Sequence, residues 1–287
     1  MSPILQVTNL HYVYSAGTPF EHIALEDVSF SVERGEFIGV IGHTGSGKST
    51  LMQHLNGLLK PTAGSVSLDG RDIWSDKQLT RQSRFRVGLV FQYPEYQLFE
   101  ETVAKDIAFG PKNMRLSPDE IDRRVREAAG LVGISDDQLQ MSPFDLSGGQ
   151  KRRVAIAGVI AMEPEILILD EPTAGLDPEG REDILRKIDG YRKAKNATIM
   201  MVSHSMSDIA RIADRLLVMN GAKLVMDGTP QQVFSRAKEL EDMGLDIPEI
   251  TRVFLKLRQM GLDVPQVYTR QQAVDALLSL KGGASDA

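Results

Sequence analysis

Eight consecutive residues near the N-terminus combine glycines, hydroxyls and a lysine in a pattern suited to phosphate: Gly42-His43-Thr44-Gly45-Ser46-Gly47-Lys48-Ser49. The apolar run Phe37–Ile41 predicts a buried strand before this loop, and helical spacing follows it from Lys48 to Leu59. In that context the loop amides would surround the β- and γ-phosphates of a nucleotide, Lys48 would reach between them, and Ser49 would coordinate Mg²⁺. The alternative is a strand-to-helix turn that binds no ligand, but the flanking strand and helix favour nucleotide binding.

A second anion-binding segment, Leu146-Ser147-Gly148-Gly149-Gln150, comes before the apolar run Val154–Ile160. Ser147 is a suitable N-cap for a helix that begins at the glycines, and the glycines leave backbone N–H groups facing outward. Such a helix end attracts anions through its free amides and its dipole. Two phosphate-binding segments on one chain suggest a dimer in which each site is completed across the interface.

Two carboxylates follow a strand that is apolar along its length. The strand is Ile166–Asp170, and Glu171 comes directly after it. In α/β folds a buried strand delivers its carboxyl end rigidly to the edge of the sheet where ligands bind. Asp170 would hold Mg²⁺ through water, and Glu171 would polarise the attacking water. A carboxylate pair before Pro172-Thr173 is also typical of a helix N-cap, but the glycine-rich loop upstream favours the catalytic interpretation.

Four single residues gain meaning only beside these motifs. Gln92 follows the apolar run Val87–Phe91 and would contact Mg²⁺ and the attacking water, although such a glutamine is usually a surface residue. His204 ends the run Thr198–Ser203 and would reach the γ-phosphate, although a lone histidine is more often structural. Tyr14 would stack on adenine, but Tyr12 is an alternative, and either tyrosine could instead belong to the core. Asp177 would cross a dimer interface, with a helix cap as the alternative role.

Composition limits the class of protein. The chain has 287 residues with 42% hydrophobic and 25% charged residues, which is ordinary for a globular protein with one large domain and an appendage. Its net charge of −6 argues against a general nucleic-acid binder, and the absence of cysteine excludes disulfides and thiolate metal sites. The sequence shows neither a signal peptide nor an apolar run of the ~20 residues that span a membrane. We therefore expect a soluble protein, or one held at a membrane only by partners.

The remaining patterns predict an α/β fold with a mainly parallel core sheet. Residues 4–14 and 23–32 alternate as two antiparallel strands, and later apolar runs alternate with helical segments as buried parallel strands do. A charged, helical stretch at about residues 93–158 predicts a helical subdomain inserted in this core. Arg215–Asp227 reads as a hairpin around Asn220-Gly221.

The C-terminal part has a different character and reads as a small helical extension. Pro248 is placed at the first helical position, with Ile250, Val253, Phe254 and Leu257 on one apolar face closed by Gly261. Thr269 and Gln272 form a capping box before the next helix, Ala273–Leu280. The extension either packs on its own core or contacts another subunit, and the sequence leaves both open.

With these motifs in this order, the chain resembles the nucleotide-binding subunits of ABC transporters over about residues 3–235. The family motifs that it matches are the Walker A loop (Gly42–Ser49), the Q-loop (Gln92), the signature (Leu146–Gln150), Walker B with the catalytic base (Ile166–Asp170 and Glu171), the D-loop (Ala174–Asp177) and the H-loop (His204). The resemblance implies a P-loop NTPase fold of the ABC type, with an ATPase domain at 1–235 and an extension at 236–287.

The same resemblance assigns a role to each candidate site residue. The residues that it implies for catalysis are Glu171, His204, Lys48 and Gln92. The residues that it implies as ligands of Mg²⁺ are Ser49, Gln92 and Asp170. ATP contacts Tyr14 at the adenine and Gly42, His43, Thr44, Gly45, Ser46, Gly47, Lys48, Ser49 and Thr50 at the phosphates, while Ser147, Gly149, Gln150 and Asp177 act from the opposite subunit.

A finer resemblance is to the ATPases of energy-coupling factor transporters. It rests on segments in both halves of the chain: Gly17–Glu21, Gly42–Ser46, His54–Leu58, Phe91–Phe99, Phe109–Asn113 and Gly244–Pro248. Gly17–Glu21 is more similar to the second of the two paralogous ATPases of this family, which implies a heterodimer and leaves a homodimer open. The resemblance also implies that the extension at 236–287 helps the ATPases to dimerise.

This resemblance further implies the function and the partners. The chain would hydrolyse ATP at the cytoplasmic face of the cell membrane to power uptake of a vitamin or metal ion. Its partners would be a transmembrane coupling subunit, received in a groove near Tyr93–Phe99, and a separate substrate-binding membrane subunit. The alternatives are the ATPase of another importer, for a cation or amino acid, and a non-transport ABC ATPase. The single cassette and the lack of sustained heptads argue against the non-transport class.

Overall fold

The computed structural model describes residues 2–283, and strands and helices alternate along most of this range. The strands are β1 (Leu5–Tyr14), β2 (His22–Val32), β3 (Phe37–Gly42), β4 (Ala63–Leu68), β5 (Arg71–Asp72), β6 (Val87–Val90), β7 (Ile166–Asp170), β8 (Thr198–Val202), β9 (Arg215–Asn220) and β10 (Lys223–Gly228). The α-helices are α1 (Lys48–Leu55), α2 (Lys77–Arg86), α3 (Val103–Asn113), α4 (Pro118–Val132), α5 (Asp136–Leu139), α6 (Gly148–Ile160), α7 (Pro178–Lys195), α8 (Met206–Ile212), α9 (Pro230–Phe234), α10 (Ala237–Asp242), α11 (Glu249–Gln259) and α12 (Arg270–Gly283).

The described residues form two compact units. The first comprises residues 2–36 and 49–202, and the second comprises residues 37–48 and 203–283. The boundary expected at residue 235 follows a change of sequence character and stays a prediction. Within residues 2–283, no helix has both the length and the apolar character that crossing a membrane requires.

The first unit contains an antiparallel sheet with the strand order β2-β1-β4-β5. Strand β1 pairs with β2 from Leu5 opposite Val32 to Tyr14 opposite His22, and with β4 on its other side. Alternate apolar residues of β1, such as Leu5 and Val7, are buried, as period-two patterning requires. The predicted pair of N-terminal antiparallel strands is therefore confirmed.

The first unit also contains three parallel strands in the order β6-β7-β8. Val90 lies opposite Leu169, and Asp170 lies opposite Val202, so the carboxyl ends of these strands share one edge. Every residue of β7 and β8 is buried, which explains why their sequences are continuously apolar rather than alternating. The residues that follow these strands are thereby brought to a common edge.

A group of helices lies in the chain between β6 and β7, as predicted for the inserted helical subdomain. It comprises a 3₁₀ turn at Pro94–Gln97, α3 to α5, a second 3₁₀ turn at Pro143–Asp145, and α6. At the start of each α-helix of this group, a hydroxyl oxygen accepts a hydrogen bond from a backbone N–H three residues further on. The accepting hydroxyls belong to Thr102, Ser117, Ser135 and Ser147. These caps satisfy otherwise unpaired amides and so define where each helix begins.

In the second unit, β3 pairs in parallel with β9, from Ile38 opposite Arg215 to Gly42 opposite Met219. Strand β10 pairs with β9 in an antiparallel manner, from Lys223 opposite Asn220, so the turn between them is Gly221-Ala222, with φ of 53° and 67°. The predicted hairpin is therefore confirmed, but its turn lies one residue later than the expected Asn220-Gly221. The pairing places the end of β3, from which the glycine-rich loop departs, beside the end of β9.

The C-terminal helices of the second unit pack around a small core of their own. Phe254, Val264, Val267 and Ala273 are buried together, with Ile250, Leu257 and Ala276 against them. The predicted capping box is present, since Thr269 and Gln272 exchange side-chain-to-backbone hydrogen bonds. The predicted apolar face was wrong in one member, because Val253 is 49% exposed.

Three predicted element ends were also wrong by a few residues. Helix α1 ends at Leu55 instead of Leu59, because Gly57 takes φ of 73° and Leu58 N–H turns back to the Gln53 carbonyl. Pro248 is the N-cap of α11 rather than its first residue, and β6 ends at Val90 instead of Phe91. None of these shifts moves a candidate site residue out of its element.

Candidate functional site

The loop from Gly42 to Lys48 leaves β3 in the second unit and wraps around the lysine side chain. The Lys48 Nζ donates to the carbonyl oxygens of Gly42 at 2.6 Å and His43 at 2.9 Å. The lysine is 7% exposed, and it is the first residue of α1. A buried ammonium at the beginning of a helix adds its charge to the helix dipole, and the two together suit a phosphate group.

Backbone geometry explains the glycines of this loop. A Cβ at Gly42 would lie 2.4 Å from the Met219 carbonyl oxygen and 2.5 Å from the Ser46 Oγ, so no larger residue fits. Gly45 and Gly47 take φ of 81° and 100°, a region that disfavours other residues. The Ser46 hydroxyl is buried and has no hydrogen-bond partner among the described residues, so a bound phosphate oxygen would supply one.

Side chains on both sides of the loop fix its shape. The His43 ring lies 2.7 Å from the Thr44 carbonyl oxygen through Nδ1 and 2.9 Å from the Asn220 Oδ1 through Nε2. Thr44 and Ser49 are exposed, so their hydroxyls are accessible to a ligand. The loop thus combines a rigid backbone with accessible oxygen and nitrogen donors.

In the first unit, Tyr14 lies at the end of β1 beside the first turn of α1. Its hydroxyl is 3.4 Å from the Thr50 Oγ1, and its ring meets the Tyr12 ring edge to face with centroids 4.8 Å apart. The Tyr12 ring also packs on His54, whereas Tyr14 is 37% exposed. This difference favours Tyr14 over Tyr12 as the aromatic that stacks on a base.

Asp170 and Glu171 lie at the carboxyl edge of the parallel strands in the first unit. Both are buried, at 6% and 7% exposure. The Glu171 backbone takes φ of 53°, its N–H donates to the Val202 carbonyl at 3.1 Å, and its own carbonyl accepts from Ala174 N–H. Helix α7 begins only at Pro178, so the alternative in which these carboxylates cap a helix at Pro172 does not apply.

Gln92 and His204 each lie two residues beyond a strand. Gln92 follows β6, whose end is at the same edge as the ends of β7 and β8, and its side chain is exposed. His204 follows β8 along the chain, belongs to the second unit and is also exposed. The structure therefore gathers Gln92, Asp170 and Glu171 at one edge within the first unit.

The signature segment forms the N-terminus of α6, as predicted. Ser147 and Gln150 make a reciprocal capping box, with the Ser147 Oγ accepting from Gln150 N–H at 3.4 Å and the Gln150 Oε1 accepting from Ser147 N–H at 2.9 Å. Apart from its chain neighbours and the backbone of its own helix, a Cβ added to Gly148 or Gly149 would meet no atom of residues 2–283 within 4 Å. Side-chain packing among the described residues therefore does not require glycine at either position.

Asp177 does cap a helix, as the alternative for this residue proposed. Its Oδ1 accepts from the Gly180 N–H at 2.8 Å at the start of α7, and the residue is exposed. The cap does not exclude a contact with a second chain, so the interface role stays a prediction.

The partner groove expected near Tyr93–Phe99 stays a prediction, but Leu98 and Phe99 of this segment line an apolar hollow of about 260 Å³ in the helical subdomain. Phe99 and Phe109 line it with rings 5.0 Å apart and 57% and 47% exposed. Asp106 is buried at its edge and accepts from the amides of Phe99 and Glu100. Burial raises the pKa of Asp106 above its ordinary value, in spite of these amides.

Sequence patterns missed one buried ion pair. Glu95 and Arg152 are joined at 2.7 Å with side chains that are 15% and 3% exposed. They lie 57 residues apart in the chain, so no local spacing connects them. The only signal was the basic run Lys151-Arg152-Arg153 directly after the signature.

Comparison with known proteins places these motifs in a family. The family model described as ABC transporter matches residues 25–174. The energy-coupling factor transporter ATP-binding protein EcfA2 of Clostridium perfringens is 53% identical over 278 residues, which cover 96% of this chain and 98% of the relative. The protein of the same name from Caldanaerobacter subterraneus is 56% identical over 255 residues, which cover 89% of each chain.

Solved structures agree with this placement. The structure of cbiO1 from Clostridium perfringens, described as part of the ABC transporter complex cbiONQ, superimposes with a TM-score of 0.75 at 38% identity, covering 91% of this chain and 98% of that chain. A dimeric post-hydrolysis state of the ATP-binding cassette MJ0796 bound to ADP and Pi gives a TM-score of 0.70 at 27% identity, covering 79% and 98%. The sequence motifs, the loop around Lys48 and these similarities agree: the chain belongs to the ATP-binding proteins of ABC transporters, in the energy-coupling factor family.

Proposed function

We propose that this chain binds ATP with Mg²⁺ and hydrolyses it to power uptake through membrane subunits of the energy-coupling factor type. The observation that carries the proposal is the Gly42–Lys48 loop, whose carbonyls hold the Lys48 ammonium at the head of α1. A glycine-rich loop with an enclosed lysine suits phosphates and few other ligands. The energy-coupling factor names of the relatives support the transport assignment.

The phosphates fit the donors of this loop. Lys48 supplies the charge, the buried Ser46 hydroxyl lacks a partner among the described residues, and the exposed Thr44 hydroxyl is accessible. The amides of residues 42–50 would complete the cradle. At the other end of the nucleotide, the exposed face of Tyr14 would stack on the adenine, with Thr50 beside it.

The donor set for Mg²⁺ consists of oxygens, which this ion prefers. We assign it the Ser49 hydroxyl, the Gln92 side-chain oxygen and, through water, the buried carboxylate of Asp170. When bound, Mg²⁺ neutralises charge on the β- and γ-phosphates during the displacement.

Glu171 is assigned as the general base. Its backbone is fixed by hydrogen bonds to Val202 and Ala174, and its carboxylate would polarise a water for attack on the γ-phosphate. His204 would contact the γ-phosphate and stabilise its developing charge.

The open glycines of the signature support a site shared between two ATPase chains. We propose that Ser147, Gly149 and Gln150 of one chain contact the γ-phosphate bound to Lys48 of the other, with Asp177 at the same interface. The shared γ-phosphate would then link the chains, and its hydrolysis would release them. The partner would be a paralogous ATPase, with a homodimer as the simpler case, and residues 236–287 would add to the interface.

Two membrane subunits complete the proposed assembly. A transmembrane coupling subunit would place a helix against Tyr93–Phe99, where Tyr96, Leu98 and Phe99 offer apolar anchors; Tyr96 and Phe99 are 84% and 57% exposed. A separate membrane subunit would bind the substrate, a vitamin or metal ion. This arrangement would hold the chain peripherally at the cytoplasmic face of the cell membrane.

The most direct test of hydrolysis is Glu171→Gln. Because a general base contributes ~10²–10⁴-fold in rate, we expect phosphate release to fall by at least ~100-fold while ATP binding is retained. Phosphate release and binding of a fluorescent ATP analogue would be measured on the purified complex. The control is Asp136→Asn, at an exposed carboxylate on α5, which should leave both unchanged. Near-normal turnover in Glu171→Gln would contradict the assignment.

A further inference from the structure

The guanidinium of Arg152 connects three segments that are distant in the chain. Arg152 lies on α6, just after the signature, and its side chain is 3% exposed. Its Nε and Nη2 donate to the two carboxylate oxygens of Glu95 at 3.1 and 2.7 Å. Its Nη1 donates to the carbonyl oxygen of Pro172 at 3.3 Å and to that of Ala174. One buried cation thus binds the turn after Gln92 to the turn after Glu171.

The Glu95 carboxylate is charged in this setting. Burial raises its pKa, but the hydrogen bonds and the charge of Arg152 outweigh burial, and the pKa lies below its ordinary value. A buried, forked arginine–carboxylate pair fixes both distance and orientation. Lysine cannot reproduce this geometry, because a single ammonium cannot make the fork and reach the carbonyls as well.

The burial of Arg152 is specific within its basic run. The neighbouring Arg153 is only half-buried and pairs with Asp183 on α7 at 3.2 Å. Arg152 alone of these two cations contacts both the Pro94–Gln97 turn and the residues that follow Glu171. The contacts of Arg152 are therefore specific to this side chain and do not follow from the basic composition of the segment.

The far end of this connection lies where the proposed membrane partner would bind. Glu95 shares its 3₁₀ turn with Tyr96, which is 84% exposed, and the groove residue Phe99 follows shortly after. A helix that docks there would shift the turn, and the fork would carry the shift to Arg152. Because Arg152 also holds the carbonyls of Pro172 and Ala174, the backbone that orients Glu171 would respond.

We infer that Arg152 is a positioning residue that transmits the state of the Pro94–Gln97 turn to the Glu171 turn, so that a docked membrane subunit sets the rate of hydrolysis. The inference rests on the proposed function, since it requires ATP turnover and a membrane partner. Arg152 acts through backbone carbonyls and through Glu95, so it is not a catalytic residue.

The test compares Glu95→Gln, Arg152→Lys and the double variant. Glu95→Gln removes the charged acceptor and leaves the arginine with its carbonyl bonds, while Arg152→Lys keeps the charge and loses the fork. The control is Glu101→Gln, which removes an exposed carboxylate paired with Lys105 in the same subdomain. The readout is the ATPase rate with saturating co-purified membrane subunits divided by the rate of the isolated ATPases, with melting temperatures to verify folding.

For the wild type, we expect the ATPase rate with membrane subunits to differ strongly from the rate without them, so that the ratio of the two rates is far from one. In each single variant this ratio should move towards one by about tenfold, which is within the usual range of coupling between sites. The double variant should shift no further, because both substitutions cut the same connection. The control should match the wild type.

Three results would overturn the inference. A purely structural role would change both rates together and leave the ratio unchanged. Additive effects in the double variant would show that the two residues act separately. A wild-type ratio of one, with normal turnover, would mean that no signal passes from the groove. A wild-type complex without any ATP turnover would instead overturn the proposed function, and the inference with it.

Discussion

The loop Gly42–Lys48 and the pair Gly148-Gly149 both lie at the start of a helix, yet their surroundings differ. At Gly42 a methyl group would collide with the Met219 carbonyl and the Ser46 hydroxyl. At Gly148 and Gly149 it would meet only open space, although glycine costs a helix about 1 kcal/mol relative to alanine. Contacts within the described residues explain Gly42, whereas they do not explain Gly148 or Gly149, for which we propose a role towards a second chain.

The contrast shows that the chain itself shapes the phosphate loop but gives the signature glycines no close contact among the described residues. The phosphate loop is assembled, with its lysine held by carbonyls and its turns closed by hydrogen bonds. The signature is a capped helix start, and its two glycines have open space around an added Cβ. Substitutions that affect one segment and spare the other can therefore test the contrast.

The largest effect is expected from Gly42→Ala. The added methyl group must displace backbone, so we expect a loss of about 1–3 kcal/mol in the free energy of unfolding, as for other overpacked sites. We also expect ATP affinity to fall by at least about tenfold, which is a loss of ~1.4 kcal/mol in binding. Thermal denaturation and nucleotide titration would measure the two effects.

The matched control for Gly42→Ala is Gly70→Ala. Gly70 lies in the turn after β4 and takes φ of 74°, a backbone conformation that strains other residues. An added Cβ at Gly70 would have open space around it. The Gly70→Ala variant should lose stability by ~1–2 kcal/mol from backbone strain and keep its ATP affinity. Equal ATP affinity in Gly42→Ala and the wild type would contradict the account of the loop.

A smaller effect is expected from His54, which anchors the far end of α1 inside the first unit. Its Nδ1 lies 2.7 Å from the Thr50 carbonyl oxygen, its ring meets the Tyr12 ring, and burial lowers its pKa below 6.5. The folded state therefore disfavours protonation of the His54 ring. The contribution of neutral His54 to the free energy of unfolding is complete above about pH 6.5 and is lost as the pH falls below this value.

We expect His54→Gln to flatten the decline of stability between about pH 7 and pH 5. The free energy of unfolding would be measured by denaturant titration across this range. His22→Gln, at an exposed histidine in β2, should keep the wild-type slope. A wild-type slope in His54→Gln would show that the ring does not tie α1 into the fold in the way described.

Much of the fold was predictable because its signals are local. Strands β1 and β2 alternate, β7 and β8 are continuously apolar, and serine or threonine precedes the subdomain helices. The main site residues were predictable for the same reason, since each follows a strand or opens a helix. The order of the motifs along the chain also predicted the protein family, which no single local pattern indicates.

The rest depended on tertiary contacts. The early end of α1 at Leu55 comes from a left-handed Gly57, and the exposure of Val253 comes from the way α11 meets its neighbours. The Glu95–Arg152 pair joins residues 57 positions apart, and nothing in either segment indicates its partner. Contacts between side chains of distant segments are therefore not predictable from a single sequence.

The central claim, that the signature glycines serve a second chain, is tested most directly by comparing Gly149→Ala with Gly130→Ala. Both glycines lie in helices with open space around them, so each variant should gain up to about 1 kcal/mol in stability. ATP affinity of the separated chain and ATPase activity of the assembled ATPases would be measured for both. We predict unchanged affinity in both variants and at least tenfold slower hydrolysis in Gly149→Ala alone, about 1.4 kcal/mol in the barrier. Wild-type hydrolysis in Gly149→Ala would contradict the claim.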